Sequence, residues 1–291
     1  MLPEWLSIKP ASTAHYSEIK NSIKERGLHT VCSDAHCPNA SECWSSGTAT
    51  FMLLGGLCTR ACRFCAVKKS AIGEAVNTNE PKLLAKTIKE WGLDYVVLTS
   101  VCRDDLPDQG SSHFAECVKE IKKENAKTII EVLIPDFTGN INHLKTITDS
   151  KPDVIGNNIE TVKRLSSKIR DRRANYKQTI ELLKNIKSLS KETYTKSALM
   201  LGLGETEKEI IEAFDDLRNV GVDFIAIGQY LRPTQFHEPV HEYVTPEKFL
   251  KLKKIAEDKG FLFVASGPLV RSSYKAGEFF FKNVIKKENH L

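Results

Sequence analysis

The sequence lacks the long apolar runs that membrane-spanning segments need. Its longest apolar stretches, residues 51–57 and 261–270, are short and are interrupted by glycine or proline, so neither predicts a transmembrane helix. The first ten residues include Glu4 and contain no apolar region of the kind found in secretory signals. We therefore expect a cytoplasmic protein with no membrane partner, in a compartment where thiols stay reduced.

A basic stripe interleaved with aromatic residues is also missing, and no nucleic-acid-binding motif is present. The 42 basic residues exceed the 37 acidic ones and give a net charge of +5, which permits an acidic partner without requiring one. The sequence also lacks low-complexity segments and short repeats. We therefore expect no nucleic-acid partner and one catalytic domain with terminal extensions.

Cysteine, by contrast, is concentrated in one stretch, because six of the eight cysteines lie between residues 32 and 65. The first group is Cys32, Cys37 and Cys43, with C-x4-C-x5-C spacing. The second group is Cys58, Cys62 and Cys65, with C-x3-C-x2-C spacing. Thiols this dense form disulfides, zinc sites or iron-sulfur sites. A structural zinc site usually takes two close pairs of ligands, which neither group supplies, and disulfides need an oxidising compartment.

The second group is the more informative one. Three cysteines bound to a four-iron cube leave the fourth iron free to bind a small molecule, which suits a cluster used for chemistry. With Phe64 as the aromatic residue before Cys65, this group resembles the motif of the radical S-adenosylmethionine (SAM) enzymes. The resemblance implies that Cys58, Cys62 and Cys65 are cluster ligands with a catalytic role.

Residues 37–44, CPNASECW, and residues 267–274, GPLVRSSY, narrow the resemblance to the lipoyl synthases. In that family the first cysteine group holds an auxiliary four-iron cluster, and the second serine of RSSY, here Ser273, supplies its fourth ligand. Four further segments resemble the family pattern: 99–106 (TSVCRDDL), 157–162 (NNIETV), 196–200 (KSALM) and 228–233 (GQYLRP). Three positions in them depart from it, because Cys102, Asn157 and Ala198 stand where the family usually has Asp, His and Gly.

The resemblance implies a sulfurtransferase that inserts two sulfur atoms, at carbons 6 and 8 of a protein-bound octanoyl-lysine. Two 4Fe-4S clusters and SAM are the implied cofactors, and the auxiliary cluster is the implied sulfur donor. The implied partners are octanoylated lipoyl carrier domains, namely 2-oxoacid dehydrogenase E2 subunits and the glycine cleavage H protein. An electron donor such as ferredoxin or flavodoxin, and an iron-sulfur carrier for cluster repair, are also implied.

The resemblance also implies SAM contacts from Phe64, Ser100, Asn158 and Glu160. The alternative for Asn158 and Glu160 is that they cap the helix that follows, because Asn and Glu near a helix start do so without any ligand. Cys102 and Cys117 have no partner at ligand spacing, and we interpret them as buried thiols.

Strand and helix signals alternate from residue 48 onward, which is typical of a parallel sheet covered by helices. The predicted strands are 48–54, 95–99, 128–133, 153–156, 195–201 and 224–228. The predicted helices are 81–91, 112–124, 140–148, 176–188, 205–220 and 246–259, with another near 16–26. Six such units match the α/β fold that the resemblance implies, which is a partial TIM barrel of the (β/α)6 type.

The predicted organisation is an N-terminal extension of residues 1–47 with the auxiliary-cluster cysteines, a barrel of residues 48–265 and a C-terminal extension of residues 266–291. Reactive groups of such barrels gather at the C-terminal ends of the strands, where the second cysteine group falls. Three other classes remain open: a methylthiotransferase, an iron-sulfur carrier without a SAM site, and a zinc-stabilised binding module.

Overall fold

The computed structural model describes residues 2–7, 23, 25–34, 39, 43–44, 48–274 and 277. Cys37 and most of the helix predicted near 16–26 lie outside these residues. In the part that is described, no helix has both the length and the apolar character needed to cross a membrane.

Nine strands are found in the described residues: β1 Thr48–Leu53, β2 Leu57–Cys58, β3 Lys68–Lys69, β4 Tyr95–Ser100, β5 Ile129–Leu133, β6 Val154–Gly156, β7 Tyr194–Leu201, β8 Phe224–Gln229 and β9 Phe263–Gly267. Seven of them form one parallel sheet in the order β1-β4-β5-β6-β7-β8-β9, and β2 and β3 form a separate parallel pair. Because every strand of the large sheet points the same way, all its C-terminal ends lie along one rim.

The described helices are α1 Val31–Asp34, α2 Glu80–Trp91, α3 Ser111–Glu124, α4 Ile141–Asp149, α5 Lys163–Ile169, α6 Tyr176–Leu189, α7 Glu207–Asn219 and α8 Pro246–Asp258. Helix α7 shows why these segments fold as they do. Thr206 and Glu209 form a reciprocal capping box at its start, and the buried Ile210, Ala213, Phe214 and Leu217 recur at helical spacing. The helix therefore begins at a sequence signal and packs through one apolar face.

The structure confirms the six predicted strand and helix units, with bounds within two residues of those predicted. It adds a seventh strand, because the apolar run that begins at residue 261 pairs with β8 as β9. It also adds helix α5, which is only seven residues long and carries little periodic signal. The pairing of β9 satisfies backbone groups that the edge of β8 would otherwise expose.

Side chains of the strands alternate between the covering helices and the barrel interior. On β4, Val96 and Leu98 join the large apolar cluster formed with the helices, whereas Tyr95 and Val97 join an inner cluster with Phe224. The period of two in a strand is the reason for this division. The inner cluster fills the N-terminal half of the barrel.

The chain that follows β9 folds back against the interior face of the sheet. Val270 packs on Ala198 and Ala226, and a Cβ atom on Gly228 would lie 2.0 Å from the Val270 carbonyl oxygen. Only glycine fits at position 228 without a shift of backbone. The turn of residues 271–274, which contains Ser273, follows this close approach, and its Ser272 and Tyr274 line a small interior cavity with Tyr95 and Lys196.

A buried ion pair spans the interior between β5 and β7. Lys196 Nζ lies 2.9 and 2.8 Å from the two carboxylate oxygens of Glu131, and Tyr95 donates its hydroxyl proton to the same carboxylate at 2.6 Å. Burial, together with the negative charge of Glu131, raises the pKa of Tyr95 well above its usual value. Glu131 is 1% exposed, so its charge depends on these two partners.

We expect Lys196→Met to lower the free energy of unfolding by about 3–5 kcal/mol, because it leaves the Glu131 carboxylate buried without its cation. The matched control is Lys251→Met, which removes an exposed partner of Glu207 and should cost no more than about 1 kcal/mol. Urea unfolding followed by circular dichroism measures both. Equal losses in the two variants would contradict the stabilising role of the buried pair.

Candidate active site

The second cysteine group lies on the loop that leaves the C-terminal end of β1. Cys58 ends β2, and the Cys65 N–H donates to the Cys62 carbonyl oxygen at 3.3 Å, which closes a turn around the last two thiols. All three cysteines are half-buried. The loop is therefore at the rim where barrel enzymes place their reactive groups.

Backbone N–H groups point at the sulfur atoms of this loop. Cys58 Sγ accepts from the Cys102 N–H at 3.3 Å and from the Arg60 N–H at 3.5 Å, and Cys62 Sγ accepts from the Asp171 N–H at 3.3 Å. Such donors stabilise negative charge on sulfur. Three thiols on one loop, with backbone N–H donors around them, fit an iron-sulfur cluster in donor chemistry and in surroundings.

The three thiols differ in acidity. The hydrogen bond with the Cys102 side chain lowers the pKa of Cys58 to about 6. Burial raises the pKa of Cys62, and burial also raises that of Cys65 to about 11, with a further contribution from the other two cysteines. Because the charge of Cys58 raises the pKa of both Cys62 and Cys65, and that of Cys62 raises the pKa of Cys65, the three sulfur atoms act as one electrostatic unit. Binding of a cation to one of them favours deprotonation of the others.

Arg60 anchors this loop to the rims of two other strands. Its guanidinium lies 2.8 Å from carboxylate oxygens of both Asp104, which follows β4, and Asp136, which follows β5. The Arg60 side chain is 3% exposed and that of Asp136 is 1% exposed, so the pair is screened from water. Arg60 and Asp136 were not predicted from the sequence, since a single Arg between cysteines carries no spacing signal.

Asp171 and the loop after β8 hold the cysteine loop from the other side. Asp171 accepts from the Ala61 N–H at 2.8 Å, and hydrogen bonds from Arg173 keep the pKa of Asp171 well below its usual value. His237 Nε2 lies 3.0 Å from the Cys65 carbonyl oxygen, and Glu238 pairs with Arg63 at 2.9 Å. These residues were also missed, although the charged run at 170–173 was a visible signal.

Asn158 and Glu160 lie after β6, and Glu160 faces the cysteine loop. The negative charge of Glu160 raises the pKa of Cys62 and of Cys65, so the carboxylate is within electrostatic reach of both thiols. Asn158 Nδ2 donates to Glu160 Oε1 at 3.1 Å. In the described chain α5 begins after Val162 and has no side-chain cap, so neither residue caps that helix.

The backbone of Glu160 is in an unusual conformation, with φ at +64°. It is held by hydrogen bonds from its own N–H to the Ala198 carbonyl oxygen and from the Met200 N–H to its carbonyl oxygen, both at 3.0 Å. A left-handed conformation at a residue other than glycine costs energy and is often found where a side chain must point at a ligand. Sequence alone gave no indication of this strain.

Ser100 and Phe64 are placed near the same rim. Ser100 ends β4, and within the described residues its buried hydroxyl oxygen has no hydrogen-bond partner. Phe64 is half-buried and packs against the main apolar cluster. A buried hydroxyl without a partner at a strand end is a group available to a bound molecule.

The first cysteine group is described in part. Cys32 is buried beside β1, where Thr30 forms a bridge with Phe51, and the Cys43 N–H donates to the Asn39 carbonyl oxygen at 2.9 Å. Asn39 Nδ2 donates to the Leu269 carbonyl oxygen at 2.6 Å, four residues before Ser273. Since β1 and β9 are the two edges of the sheet, the cysteine-bearing N-terminal segment reaches from one edge of the barrel to the other.

The departures at Asn157 and Ala198 have structural roles of their own. Asn157 Nδ2 donates to the Ile134 carbonyl oxygen at 2.8 Å, and its Oδ1 has no partner among the described residues. The Ala198 methyl group packs against Val270 and Ala226. The Ala198 side chain therefore fills the interior where the returning segment lies, whereas Asn157 contacts the chain that follows β5.

A family model described as the radical SAM superfamily matches residues 52–217, which is more than half of the chain. A lipoyl synthase of Myxococcus xanthus (strain DK1622) is 50% identical over 286 residues, spanning 98% of this chain and 96% of that protein. The chain belongs to the lipoyl synthase family. The mitochondrial lipoyl synthase of Drosophila melanogaster is 51% identical over 290 residues, spanning 98% of this chain and 77% of that protein.

Membership of the lipoyl synthase family confirms the resemblance read from the sequence and makes the chain a radical SAM enzyme. The family implies a 4Fe-4S cluster and SAM as cofactors. The thiol chemistry and N–H donors of the loop at Cys58, Cys62 and Cys65 fit such a cluster. The assignment of individual ligands stays a prediction.

Solved structures show the same fold at low identity. The FeFe-hydrogenase maturase HydG from Carboxydothermus hydrogenoformans aligns with a TM-score of 0.59 at 15% identity, over 81% of this chain and 65% of that one. Methylornithine synthase aligns with a TM-score of 0.51 at 12% identity, over 77% of this chain and 76% of that one. These likenesses confirm the partial barrel.

We expect Arg60→Met to lower the iron that the protein retains, because Asp136 would then be buried without a cation and the cysteine loop would lose its anchor. Unfolding free energy should fall by about 3–5 kcal/mol. The matched control is Arg164→Met, which removes an exposed guanidinium paired with Glu209 on the outer helices. Iron and sulfide per chain after anaerobic reconstitution, with urea unfolding, test this; identical iron contents in the two variants would contradict it.

Proposed function

We propose that the chain inserts two sulfur atoms, at carbons 6 and 8 of an octanoyl group carried on a lysine of a lipoyl carrier domain. The observation that carries the proposal is the similarity to lipoyl synthases over nearly the full chain. The presence of both cysteine groups and of the segment at 267–274 in one chain supports it.

Cys58, Cys62 and Cys65 would hold the radical SAM cluster, which when bound supplies the electron that cleaves SAM for hydrogen abstraction from an unactivated C–H bond. The protein's own contribution is to hold the three thiolates and to keep water away. The N–H groups of Arg60, Cys102 and Asp171 stabilise charge on sulfur. The buried Arg60 network keeps the loop in place while a substrate enters.

Phe64, Ser100, Asn158 and Glu160 would bind SAM. Support comes from the unpartnered Ser100 hydroxyl, from the position of Glu160 within reach of Cys62 and Cys65, and from the strained backbone of Glu160. A carboxylate at this position can accept hydrogen bonds from ribose hydroxyls. Asn158 orients that carboxylate through its own hydrogen bond.

Cys32, Cys37, Cys43 and Ser273 would hold the auxiliary cluster, which supplies the sulfur. The contact from Asn39 to Leu269 supports this set, because it joins the N-terminal cysteine segment to the chain just before Ser273. Iron binds soft thiolate well, and a hard serine oxygen is the more readily displaced ligand. One such ligand suits a cluster that is dismantled during turnover.

The proposed protein partners follow from this reaction. The substrate arrives on the E2 subunits of 2-oxoacid dehydrogenases or on the glycine cleavage H protein. A ferredoxin or flavodoxin supplies electrons, and an iron-sulfur carrier rebuilds the auxiliary cluster. The excess of basic residues is compatible with acidic partners. A cytoplasmic location is proposed because the two cysteine groups need a compartment in which thiols stay reduced.

With dithionite, SAM and an octanoyl-lysine peptide, we expect the reconstituted protein to form lipoyl-lysine and two molecules of 5′-deoxyadenosine per product. Mass spectrometry of the peptide and chromatography of the nucleoside measure the two yields. Iron analysis should give about eight atoms per chain, four for each cluster. Release of 5′-deoxyadenosine with no thiolated peptide would contradict the proposed reaction.

The Cys43→Ala variant separates the two cysteine groups. It should retain about four irons per chain and still cleave SAM, but form no thiolated peptide, because a ligand of the auxiliary cluster is lost. Cys117→Ala is the matched control, since it removes a buried cysteine outside both groups and should leave product formation intact. Thiolated product from Cys43→Ala would exclude the auxiliary cluster as the sulfur donor.

SAM binding should weaken on acidification at a pH above that expected for an ordinary glutamate. Burial raises the pKa of Glu160. As the pH falls, its side chain is therefore protonated earlier than an ordinary glutamate, and the protonated form no longer offers the carboxylate that accepts ribose hydrogen bonds. Equilibrium binding of SAM to the reconstituted protein across pH measures this. Glu160→Gln should bind more weakly at neutral pH and lose this pH dependence; an unchanged profile in that variant would contradict the assignment.

A further inference from the structure

The cysteine loop has an outer side that is open to solvent. Ala61, Arg63 and Ala66 are exposed and alternate along the loop with the half-buried Cys62 and Cys65. Two of these three exposed side chains are single methyl groups. A protein that rests on the outer side can therefore approach the thiols through little more than the backbone of the loop.

Two lysines with free charge lie beside this outer side. Lys68 and Lys69 form β3, which pairs with β2 so that Lys69 lies opposite Cys58 at the spacing of adjacent strands. Both lysines are exposed, and neither forms an ion pair with any carboxylate in the part of the chain that the structure describes. Their positive charge is therefore available to an acidic partner.

A third site of positive charge lies on the loop itself. Arg63 pairs with Glu238 at 2.9 Å, and Lys168 pairs with the same carboxylate at 2.6 Å. The side chains of Arg63 and Lys168 are both about half exposed, whereas that of Glu238 is buried. Two cations that share one buried carboxylate leave a net positive charge at the surface.

An aromatic side chain protrudes beside these cations. Phe236 is 87% exposed and lies on a turn in which its own N–H donates to Thr234 Oγ1 at 3.3 Å and Arg232 Nε donates to the His237 carbonyl oxygen at 2.9 Å. His237 Nε2 donates to the Cys65 carbonyl oxygen at 3.0 Å, so the turn is joined to the cysteine loop. The ring is therefore held in place before any partner binds, which lowers the entropic cost of binding.

We propose that the outer side of the cysteine loop, with Phe236 as its apolar anchor and Arg63, Lys68 and Lys69 as the cations around it, is the docking surface for a small acidic protein that carries a one-electron redox centre. The proposal rests on the proposed role of this loop in holding the radical SAM cluster. One electron passes from the partner to the cluster, and no atom is transferred. A small contact with complementary charge suits such a transient encounter.

An octanoylated carrier domain is the other protein that has to approach this rim. Its acyl chain must reach the inner side of the loop, where Glu160 lies. The outer side offers cations and one protruding aromatic ring, which are features that recognise a protein surface rather than an acyl chain. The charge and the short path to the thiols therefore favour the electron donor.

Binding of an acidic flavodoxin to the anaerobically reconstituted protein, measured by isothermal titration calorimetry, tests the surface without turnover. Phe236→Ala should weaken binding by roughly tenfold or more, because a central aromatic anchor carries much of the binding energy. Lys68→Glu combined with Lys69→Glu should weaken it by at least about tenfold at low salt. The effect of the charge reversal should shrink near about 1 M salt, where the Debye length is roughly 3 Å.

The source of the electron separates docking from chemistry. Release of 5′-deoxyadenosine driven by reduced flavodoxin should fall in both site variants, whereas release driven by dithionite should stay at the wild-type level. Dithionite is a small molecule and needs no docking surface. A matching loss with dithionite would place these residues in the reaction itself and would overturn the proposal.

The matched controls lie on helix α8, on the outside of the barrel. Leu250→Ala removes an exposed apolar side chain, and Lys253→Glu combined with Lys254→Glu makes the same change in net charge as the site variant. Both controls should bind flavodoxin as the wild type does. Wild-type affinity in the site variants, or equal losses in the two lysine pairs, would overturn the docking surface.

Two further outcomes are distinct. Weaker binding of an octanoylated carrier domain by the site variants, with flavodoxin binding intact, would assign the surface to the carrier and overturn the proposal. Failure of the wild-type protein to cleave SAM with dithionite would instead refute the proposed function, and the calorimetry would still decide whether flavodoxin binds at this surface.

Discussion

The buried guanidinium of Arg60 is the interaction on which the arrangement of the site depends. In the sequence Arg60 lies between Cys58 and Cys62. Its side chain pairs with Asp104 and Asp136, which follow two neighbouring strands. A guanidinium screened from water is stable only when carboxylates pair with it, and a buried carboxylate likewise depends on the guanidinium. The loop that carries three reactive thiols is thereby fixed to the rigid sheet, although it has little regular structure itself.

The same rim gathers the other groups because the sheet is parallel. Strand ends β1, β4, β6 and β8 lead directly into the Cys58 loop, the Cys102 loop, the Glu160 loop and the His237 loop. Helices cover the outside, and an apolar cluster fills the N-terminal half of the interior. The C-terminal half is left for polar groups and for the chain that returns after β9.

Much of this organisation was predictable from local signals. The six strand and helix units follow from hydrophobic periodicity, and the spacing of Cys58, Cys62 and Cys65 together with Phe64 indicated the chemistry. The seventh strand was missed because its run of residues is short and ends in glycine and proline, signals that also suit a loop. Arg60 and His237 were missed because their partners are distant in sequence and no spacing links them.

The sequence by itself determined the class of protein, since thiol spacing and periodicity are local properties that survive without coordinates. Tertiary structure decided which groups face one another. Glu160 turns its carboxylate toward the cysteine loop rather than capping α5, and the Cys102 N–H donates to Cys58 Sγ. It also decided that Gly228 must be small, because the Val270 carbonyl lies against it. Such facts depend on contacts between segments far apart in the chain, which only the folded sheet brings together.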